Sequence, residues 1–305
     1  MEALITALNG VVDAATGDAR RLFHGRGHCF SGLEHINVDL LPPVVLITLY
    51  ATETQERIQQ LVDCAAALPG VTGVLVQQRY LPGSPSFVGA GEVPEQLEVF
   101  EAGLCYRVRL GRNQNSGFFL DMAAGRQWVR EHAAERRVLN LFAYTCAFSV
   151  AALAGGADEV INLDMSRGAL AQGRENHQLN QQDLARVRFL GHELFRSWGK
   201  LTKAGPYELV IVDPPSYQPG SFSAEKDYPR LMGRLERLLA PGADLLLCLN
   251  DPGRDSAFLR QHMAERAPSL EFVGRVDNPA SFPEADPERS LKVLHYRCRS
   301  ASCLG

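Results

Sequence analysis

The sequence lacks the features that mark secreted, zinc-binding and membrane-spanning proteins. Its 305 residues include seven cysteines but no Cys-x-x-Cys pair, which argues against a zinc knuckle and a disulfide framework. No apolar run approaches the length of a membrane span, and the first ten residues (MEALITALNG) lack the basic-then-apolar pattern of a secretory signal. We therefore expect a cytoplasmic protein with reduced thiols, with no metal and no membrane among its partners.

Lysine is missing from residues 1–112, where all eight basic side chains are arginine. Twelve acidic residues accompany them, so this part carries a net charge of −4, whereas the rest of the chain is neutral. Because a module that binds RNA is normally basic, this composition argues against an RNA-binding domain at residues 1–112. A local basic groove remains compatible with the net charge of −4 for the whole chain.

A polar, turn-forming segment, Asn-Gln-Asn-Ser-Gly at 113–117, divides the chain. The residues before it predict strand Val44–Ala51, helix Thr54–Leu68, strand Gly73–Tyr80, and strands Glu98–Glu101 and Leu104–Leu110 around a turn at Ala102-Gly103. We predict a small α+β domain over residues 1–112 and a second domain over residues 113–305. The role of residues 1–43 does not follow from the sequence.

In the second domain, strand-like and helix-like stretches alternate. The predicted strands are Arg137–Ala143, Glu159–Asp164, Val187–Glu193, Tyr207–Asp213, Ala243–Asn250, Leu270–Val276 and Ser290–Cys298. Four helices are predicted. The first follows strand Arg137–Ala143 and ends near Leu153, and the others span Arg167–Leu179 (with Ser166 as N-cap), Tyr228–Leu239 and Asp255–Arg266. Near-continuous apolar strands that alternate with helices predict an α/β fold, in which a parallel sheet carries helices on both faces.

Polar side chains follow the predicted strands at the edge where such sheets bind ligands. They belong to Tyr144-Thr145, Asp164, His192-Glu193, Asp213-Pro214-Pro215 and Asn250. The first turn, residues 144–148, has no glycine to let a pyrophosphate approach the backbone, which argues against a nicotinamide or flavin dehydrogenase. Asp164 suits a ribose diol, so we expect an adenosine ligand without phosphates, S-adenosylmethionine. Alternatively, Asp164 is the N-cap of the next helix.

The segment Asp-Pro-Pro-Ser-Tyr, residues 213–217, follows the fourth strand of this sheet. Its two prolines fix the backbone, so Asp213 is expected to face the cavity, with the ring of Tyr217 near enough to stack on a planar group. Methyl transfer is an in-line displacement, in which positioning of the nucleophile supplies much of the catalysis. The alternative is a strand that ends at proline and continues as a solvated turn.

Several stretches together match a known family. They are Gln114–Asp121 (QNSGFFLD), Val138–Thr145 (VLNLFAYT), Asp164-Met165-Ser166, Glu175-Asn176, Leu179-Asn180 and Val212–Tyr217 (VDPPSY). On these stretches the chain resembles the class I S-adenosylmethionine-dependent methyltransferases of the large-subunit ribosomal RNA type, a group with cytosine-5 and guanine-N7 members. The resemblance runs from about Val44 to the C-terminus and is strongest over residues 114–250.

The resemblance implies a Rossmann-like class I methyltransferase sheet, S-adenosylmethionine as cofactor, and RNA, in particular ribosomal RNA, as substrate. It implies cofactor contacts at Phe119, Asp121, Arg126, Tyr144, Thr145, Phe148, Asp164, Met165, His192, Glu193 and Asp213. It implies catalytic roles for Asp213, Pro214, Pro215, Tyr217 and Asn250. Residues 1–112 are expected to lie on the substrate side. Two other roles stay open: Asp121 could cap a helix that starts at Met122, and His192 could be structural.

The chain departs from the family pattern at three places. The first turn, usually Thr-Gly-Gly-Phe, reads Thr145-Cys146-Ala147-Phe148, and the added side chains are expected to crowd the cofactor. The acidic pair after the third strand reads His192-Glu193, in which Glu193 matches the residue that accepts the adenine amino group. We find no counterpart of the RNA-binding PUA domain that the cytosine-5 members carry.

The reaction type depends on the end of the fifth strand. Methylation of cytosine C5 needs a thiolate that adds to C6 of the base. In the cytosine-5 members that cysteine follows the fifth strand, where this chain has Asn250, while Cys248 is expected about 6–7 Å deeper. We therefore predict methylation of a base nitrogen, with Asn250 hydrogen-bonded to a base edge.

Three alternatives stay open from the sequence. The chain could be a cytosine-5 RNA methyltransferase, a methyltransferase that acts on a protein or small molecule, or a non-catalytic module that binds S-adenosylmethionine. The acidic residues 1–112 and the missing PUA domain favour the second alternative, and Cys146-Ala147 favours the third. The sequence does not indicate the target nucleotide or the oligomeric state.

Overall fold

The computed structural model describes residues 2–10, 14, 17–111, 114–215, 217–218 and 222–299. The chain divides into two compact units. The first comprises Met1–Ala123 and Pro279–Asp286, and the second comprises Ala124–Asn278 and Pro287–Gly305. This division lies after the boundary predicted between residues 112 and 113, and it groups Pro279–Asp286 with the first unit. The two domains as delimited from the sequence stay a prediction.

The first unit is an α+β arrangement built on a five-stranded sheet. Its elements are α1 (Glu2–Asn9), β1 (Arg20–His24), β2 (Ile36–Leu41), β3 (Val44–Leu49), α2 (Gln55–Ala66), β4 (Gly73–Gln78), β5 (Ser86–Gly91), β6 (Gln96–Glu101) and β7 (Leu104–Arg109). The strand order is β1-β2-β3-β4-β5, with only β3 and β4 parallel, and β6 and β7 form a separate hairpin. The elements predicted between Val44 and Leu110 are confirmed.

Four elements of the first unit were not predicted from the sequence: α1, β1, β2 and β5. Strand β5 is an edge strand with three glycines or alanines in six positions, a composition that carries little strand signal. One of those glycines is required by packing. A Cβ atom at Gly89 would lie 2.7 Å from the side chain of Val62, because α2 lies directly on β5. Tertiary contact, rather than local propensity, thus determines this strand.

The second unit is an α/β arrangement whose elements begin at α3. They are α3 (Ala123–His132), β8 (Arg137–Leu141), α4 (Ala147–Ala154), β9 (Glu159–Asp164), α5 (Arg167–Leu179), β10 (Val187–Gly191), α6 (Leu194–Ala204), β11 (Tyr207–Val212), β12 (Tyr217–Gln218), β13 (Phe222–Ser223), α7 (Ala224–Leu235), β14 (Leu239–Leu249), α8 (Ser256–Arg266), β15 (Leu270–Val276) and β16 (Lys292–Cys298). Its seven-stranded sheet has the order β10-β9-β8-β11-β14-β16-β15. The seven predicted strands are confirmed, with ends that shift by up to four residues.

Three features of the second unit differ from the prediction. The sheet is mixed, because β16 lies between β14 and β15 and runs antiparallel to both. Helix α6 and the short strands β12 and β13 were not predicted, and α3 was considered only as a helix that Asp121 could cap. Helix α7 begins and ends four residues before the predicted Tyr228–Leu239, because Asp227 accepts a hydrogen bond from the backbone amide of Ser223 at 2.7 Å and Leu239 already pairs with β11.

Helices cover the two faces of this sheet, as alternating side chains of the strands require. On one face, Leu139, Leu141, Val210 and Val212 pack in a buried cluster with apolar side chains of α6, α7 and α8. On the other face, α4 and α5 contact β8, β9 and β10. None of the helices that the structure describes is long and apolar enough to cross a membrane.

A chain of polar side chains, all of them buried except the half-buried Gln182, joins α4 and α5 to β8 and β9. It runs from Asn140 through Asn162, Ser149 and His177 to Gln182 and the backbone carbonyl of Val150. The Gln182 amide nitrogen donates to that carbonyl at 2.9 Å, so its oxygen accepts from His177 Nδ1 at 2.6 Å. His177 Nε2 is then the acceptor for the Ser149 hydroxyl at 2.9 Å. The imidazole is therefore neutral, and burial lowers its pKa to about 4.

This neutral histidine predicts that the protein loses stability in mild acid. In the unfolded chain, His177 is protonated below its ordinary pKa of 6.5. In the folded protein, it stays neutral until the pH falls to about 4. As the pH is lowered from 6.5 to 4, the free energy of unfolding should therefore decrease by about 3 kcal/mol because of His177. Denaturant unfolding of wild type and His177→Asn over this range measures the difference.

The variant His177→Asn should be less stable than wild type near neutral pH, because it interrupts the buried chain, but it should lack this part of the pH dependence. His192→Asn is the matched control, because His192 is exposed in the same unit. It should keep the pH dependence of the wild type. Equal pH dependence in wild type and His177→Asn would contradict the assignment.

Candidate cofactor and substrate site

The predicted site residues of the second unit follow parallel strands and therefore lie along one edge of the sheet. Strands β10, β9, β8, β11 and β14 are parallel neighbours, with Leu141 opposite Leu163 and Val212 on adjacent strands. The structure thus brings together the ends of these strands. The predicted residues at this edge are Tyr144, Thr145, Phe148, Asp164, Met165, His192, Glu193, Asp213, Pro214, Pro215 and Asn250.

Asp164 ties the end of β9 to the turn that follows β8. One carboxylate oxygen accepts from the backbone amide of Tyr144 at 2.8 Å, and the other accepts from the amide of Ser166 at 2.7 Å. Helix α5 is capped instead by Ser166, whose hydroxyl accepts from the amide of Ala169 at 3.2 Å. Asp164 is therefore not the N-cap. A carboxylate has about four acceptor positions, so Asp164 can accept further hydrogen bonds.

The turn between β8 and α4 has an unusual backbone. Phe142, Tyr144 and Cys146 have φ angles of 59°, 48° and 60°, in the left-handed region that side chains with a Cβ avoid, at a cost on the order of 1 kcal/mol each. Strain of this kind persists only where the surroundings hold the loop. Burial raises the pKa of the half-buried Tyr144 hydroxyl, and the charge of Asp164 adds to the effect.

Cys146 does not line the edge of the sheet. Its side chain is fully buried and packs with Ala143, Leu170 and Phe189. A Cβ atom at Gly173 of α5 would lie 2.4 Å from its sulfur, so the thiol fills the space that this glycine leaves. The cysteine that was expected to crowd the cofactor thus points into the interior of the unit. Its burial, with the nearby Asp164, raises the pKa of the thiol well above its ordinary value.

The pair His192-Glu193 follows β10 directly. The Glu193 carboxylate caps α6, accepting from the backbone amides of Phe195 at 3.0 Å and Arg196 at 2.8 Å. His192 is exposed, with its Nε2 atom 3.4 Å from the amine of Lys200. The contact of either residue with a cofactor stays a prediction. The spacing of the apolar residues Leu194, Trp198 and Leu201 after an acidic cap could have revealed α6.

Asp213, Pro214 and Pro215 end β11, with Pro214 buried and the other two half-buried. The chain then pairs β12 with β13. The stacking predicted for Tyr217 concerns a side chain outside the described residues. Close to Asp213 lies a residue that the sequence did not indicate, Tyr228. Its buried hydroxyl donates to the backbone carbonyl of Cys248, and burial raises its pKa well above the ordinary value.

The end of β14 separates Cys248 from Asn250. Cys248 is fully buried inside the sheet, opposite Val293 of β16, whereas Asn250 is exposed just beyond the strand. The expected difference in depth is confirmed. Lys292, which the sequence did not indicate, is fully buried nearby, and its amine donates to the backbone carbonyls of Asp251 at 2.8 Å and Glu288 at 2.7 Å. These bonds hold the backbone that follows Asn250.

Three predicted cofactor residues lie before β8. Phe119, which is 42% exposed, and Asp121 belong to the first unit, and Asp121 lies inside a short 3-10 helix, Leu120–Met122, rather than at its N-cap. Arg126 is buried on α3 in the second unit. Their cofactor contacts stay predictions. No cluster of side chains suited to a metal ion occurs among the residues that the structure describes.

Comparison with known proteins identifies the family. The sequence model of the S-adenosylmethionine-dependent methyltransferase family matches residues 20–297, nearly the whole chain. The chain belongs to this family. S-adenosylmethionine is the cofactor of the family, and the α/β sheet described above is Rossmann-like, as in solved methyltransferases. The predicted fold class and family are thereby confirmed.

The relatives of this methyltransferase include proteins named for ribosomal RNA. Ribosomal RNA large subunit methyltransferase I of Aeromonas salmonicida is 34% identical over 161 residues, which are 51% of this chain and 41% of the relative. Ribosomal RNA large subunit methyltransferase K/L of Shewanella sp. is 31% identical over 63% of this chain and 29% of the relative. The chain thus matches less than half the length of these relatives.

A solved structure shares the fold of this methyltransferase. It is a candidate S-adenosylmethionine-dependent methyltransferase from Streptococcus mutans, 25% identical, with a TM-score of 0.85. The match covers 97% of this chain and 81% of that chain.

The packing of Cys146 against Gly173 predicts a non-additive pair of substitutions in this methyltransferase. Alone, Gly173→Ala should destabilise the protein by about 1–3 kcal/mol, because its Cβ would overlap the thiol. In a Cys146→Gly background, the same change should cost little, because the overlap is gone and alanine favours a helix by about 1 kcal/mol over glycine. Denaturant unfolding of the four proteins measures the coupling.

The matched control is Gly168→Ala, also in α5, where a Cβ atom meets nothing within 4 Å. It should change stability equally in both backgrounds. Additive effects of Gly173→Ala and Cys146→Gly would show that the thiol does not occupy this space.

Proposed function

We propose that this chain transfers a methyl group from S-adenosylmethionine to a base nitrogen of RNA, and that the RNA is ribosomal. The observation that carries the proposal is the edge of the second unit's sheet. There, Asp164, Asp213 and Asn250 follow parallel strands, and no thiol takes the place of Asn250. We propose ribosomal RNA in particular because the relatives are named as ribosomal RNA methyltransferases. The cytoplasm stays the proposed location.

The residues at this edge fit the cofactor. Asp164 retains acceptor positions that suit the two ribose hydroxyls, and Met165 beside it presents an apolar side chain that is 52% exposed and suits an adenine ring. Glu193 would lie near the adenine amino group, and Asp213 near the reacting end. S-adenosylmethionine, when bound, supplies a methyl group on a positively charged sulfur.

The chain's own residues would position the base. Asp213, held by the two prolines that follow it, would accept a hydrogen bond from an amino or imino group of the base. Asn250, just beyond β14, would bond the base edge, and its backbone is held through Asp251 by Lys292. A ring nitrogen already carries a lone pair in the ring plane. No covalent catalyst is then needed, in keeping with the burial of Cys248.

The cofactor site predicts a loss of affinity in Asp164→Ala. Removing charge-assisted hydrogen bonds to the ribose should weaken S-adenosylmethionine binding by about 1.5–3 kcal/mol, measured by calorimetric titration. Asp158→Ala is the control, because Asp158 precedes the same strand at its opposite end and its side chain is 63% exposed. It should bind the cofactor as the wild type does. A wild type that shows no binding at millimolar cofactor would favour the non-catalytic alternative.

The reaction type predicts opposite outcomes for two substitutions. Asp213→Ala should lower methyl transfer by about a hundredfold or more, because the base loses its orienting group. Cys248→Ser should leave turnover nearly unchanged, because a buried thiol in a strand is replaced by a side chain of similar volume. Transfer of labelled methyl from S-adenosylmethionine to total RNA measures both.

Label recovered in protein or small molecules, and none in RNA, would instead support those substrates. Loss of activity in Cys248→Ser, together with a covalent adduct between wild type and RNA that contains 5-fluorocytosine, would establish carbon methylation.

A further inference from the structure

Two arginines of the first unit lie against one aromatic ring. The guanidinium carbon of Arg26 is 4.2 Å from the centre of the Tyr50 ring, and that of Arg79 is 5.5 Å from it. Arg26 is exposed, and Tyr50 and Arg79 are half-buried. We refer to these three residues as the Tyr50 cluster.

The backbone fixes the positions of the cluster. Tyr50 follows β3 and Arg79 follows β4, which are parallel neighbours with Leu49 opposite Gln78, so both residues emerge at the same edge of the sheet. The Arg79 amide donates to the carbonyl of Leu49 at 2.8 Å. Arg26 lies in a short 3-10 helix after β1, and its amide is 3.4 Å from the side-chain oxygen of Asn37. The cluster is therefore built on strand ends and not on a free loop.

Neither guanidinium has a carboxylate partner among the residues that the structure describes. The Arg26 guanidinium lies over the ring, and Arg79 in addition donates to the side-chain oxygen of Asn115 at 3.5 Å. The nearest acid along the chain from Tyr50, Glu53, already accepts from His35 at 3.1 Å and Arg57 at 3.0 Å. Two arginines on one ring, both without a carboxylate partner in the described part of the chain, are notable in residues 1–112, where acidic residues outnumber basic ones.

Stacking leaves the guanidinium edges available. A guanidinium that stacks on a ring by its face keeps its in-plane N–H groups, which can bind a phosphate with two parallel hydrogen bonds. The ring also restricts the arginine side chains, so less conformational freedom is lost when they bind a ligand. Sites that bind a nucleic acid strand combine cations, which contact successive phosphates, with aromatic side chains. The Tyr50 cluster has both kinds of group.

We propose that the Tyr50 cluster binds the phosphate backbone of the RNA substrate, with Arg26 and Arg79 on separate phosphates. The choice of RNA rests on the proposed function. The cluster supplies the local basic site that the composition of residues 1–112 leaves possible but does not reveal.

The test is binding of wild type and Arg26→Gln/Arg79→Gln to single-stranded and ribosomal RNA, by fluorescence anisotropy over a series of salt concentrations. The double variant should bind RNA roughly tenfold more weakly, and its salt dependence should fall by about 1.4 in log–log slope, the value for two lost phosphate contacts. Tyr50→Leu should bind RNA only a few-fold more weakly with an unchanged slope, because it keeps both charges. Affinity for S-adenosylmethionine should stay at the wild-type value in all of them.

The matched control is Arg20→Gln/Arg57→Gln, which removes two positive charges from the same unit. Arg57 is paired with Glu53, and Arg20 donates to the backbone carbonyl of Asp18 at 3.1 Å. This control should bind RNA within about twofold of the wild type, as expected for charges that make no phosphate contact. An equal loss in the control would overturn the inference, because attraction by total charge would then explain the binding.

Two further outcomes separate this inference from the proposed function. If wild type binds and methylates RNA while the cluster variant binds with unchanged affinity and slope, only the inference is wrong. If wild type transfers no methyl group to RNA and does not bind it, the proposed function fails and the inference with it. Should the double variant unfold, the exposed Arg26→Gln alone must reduce the slope by about 0.7, and an unchanged slope overturns the proposal.

Discussion

One carboxylate holds the loop on which the candidate site depends. Asp164 accepts hydrogen bonds from the backbone amides of Tyr144 and Ser166, so the ends of two neighbouring strands share one anion. The side chain of Asn176, on α5, donates to the backbone carbonyl of Thr145 in the same loop at 2.9 Å. Three left-handed residues in this loop would be costly in a free peptide, and they persist because these contacts hold them. Hydrogen bonds within the chain thus hold the loop in this conformation.

Buried charged side chains support β14 at two places, in the middle of the strand and just beyond its C-terminal end. In the middle of the strand, the carboxylate of Asp244 is fully buried and accepts from Arg136, His295 and Arg297, which hold its pKa well below the ordinary value against the opposing effect of burial. At its far end, Lys292 donates to two backbone carbonyls, and burial lowers the pKa of its amine. The first arrangement joins β14 to β16 and α3–β8. The second fixes the backbone next to Asn250, where a substrate base is proposed to bind.

The first unit shows why net charge is a poor guide to a binding surface. Its sequence is acidic, yet several acidic side chains are occupied by neighbours, as Asp39 is by Arg21 and Glu53 is by His35 and Arg57. Among the residues that the structure describes, Arg26 and Arg79 do not take part in this pairing with acidic side chains, and both lie against the ring of Tyr50. Composition averages over all of these groups, whereas a phosphate would meet only the ones that remain unpaired.

The sequence by itself determined the seven strands of the main sheet and four of the helices in the second unit (α4, α5, α7 and α8), because apolar strands, the cap at Ser166 and the Pro214-Pro215 stop are local signals. It also indicated which polar residues share one edge, since parallel strands align their carboxyl ends. Only the tertiary structure decided that Cys146 packs inward against Gly173, that Glu193 caps a helix, and that Lys292 lies beside the end of β14. Such contacts join residues far apart in the chain, and the direction of a side chain follows from packing rather than from its neighbours in sequence.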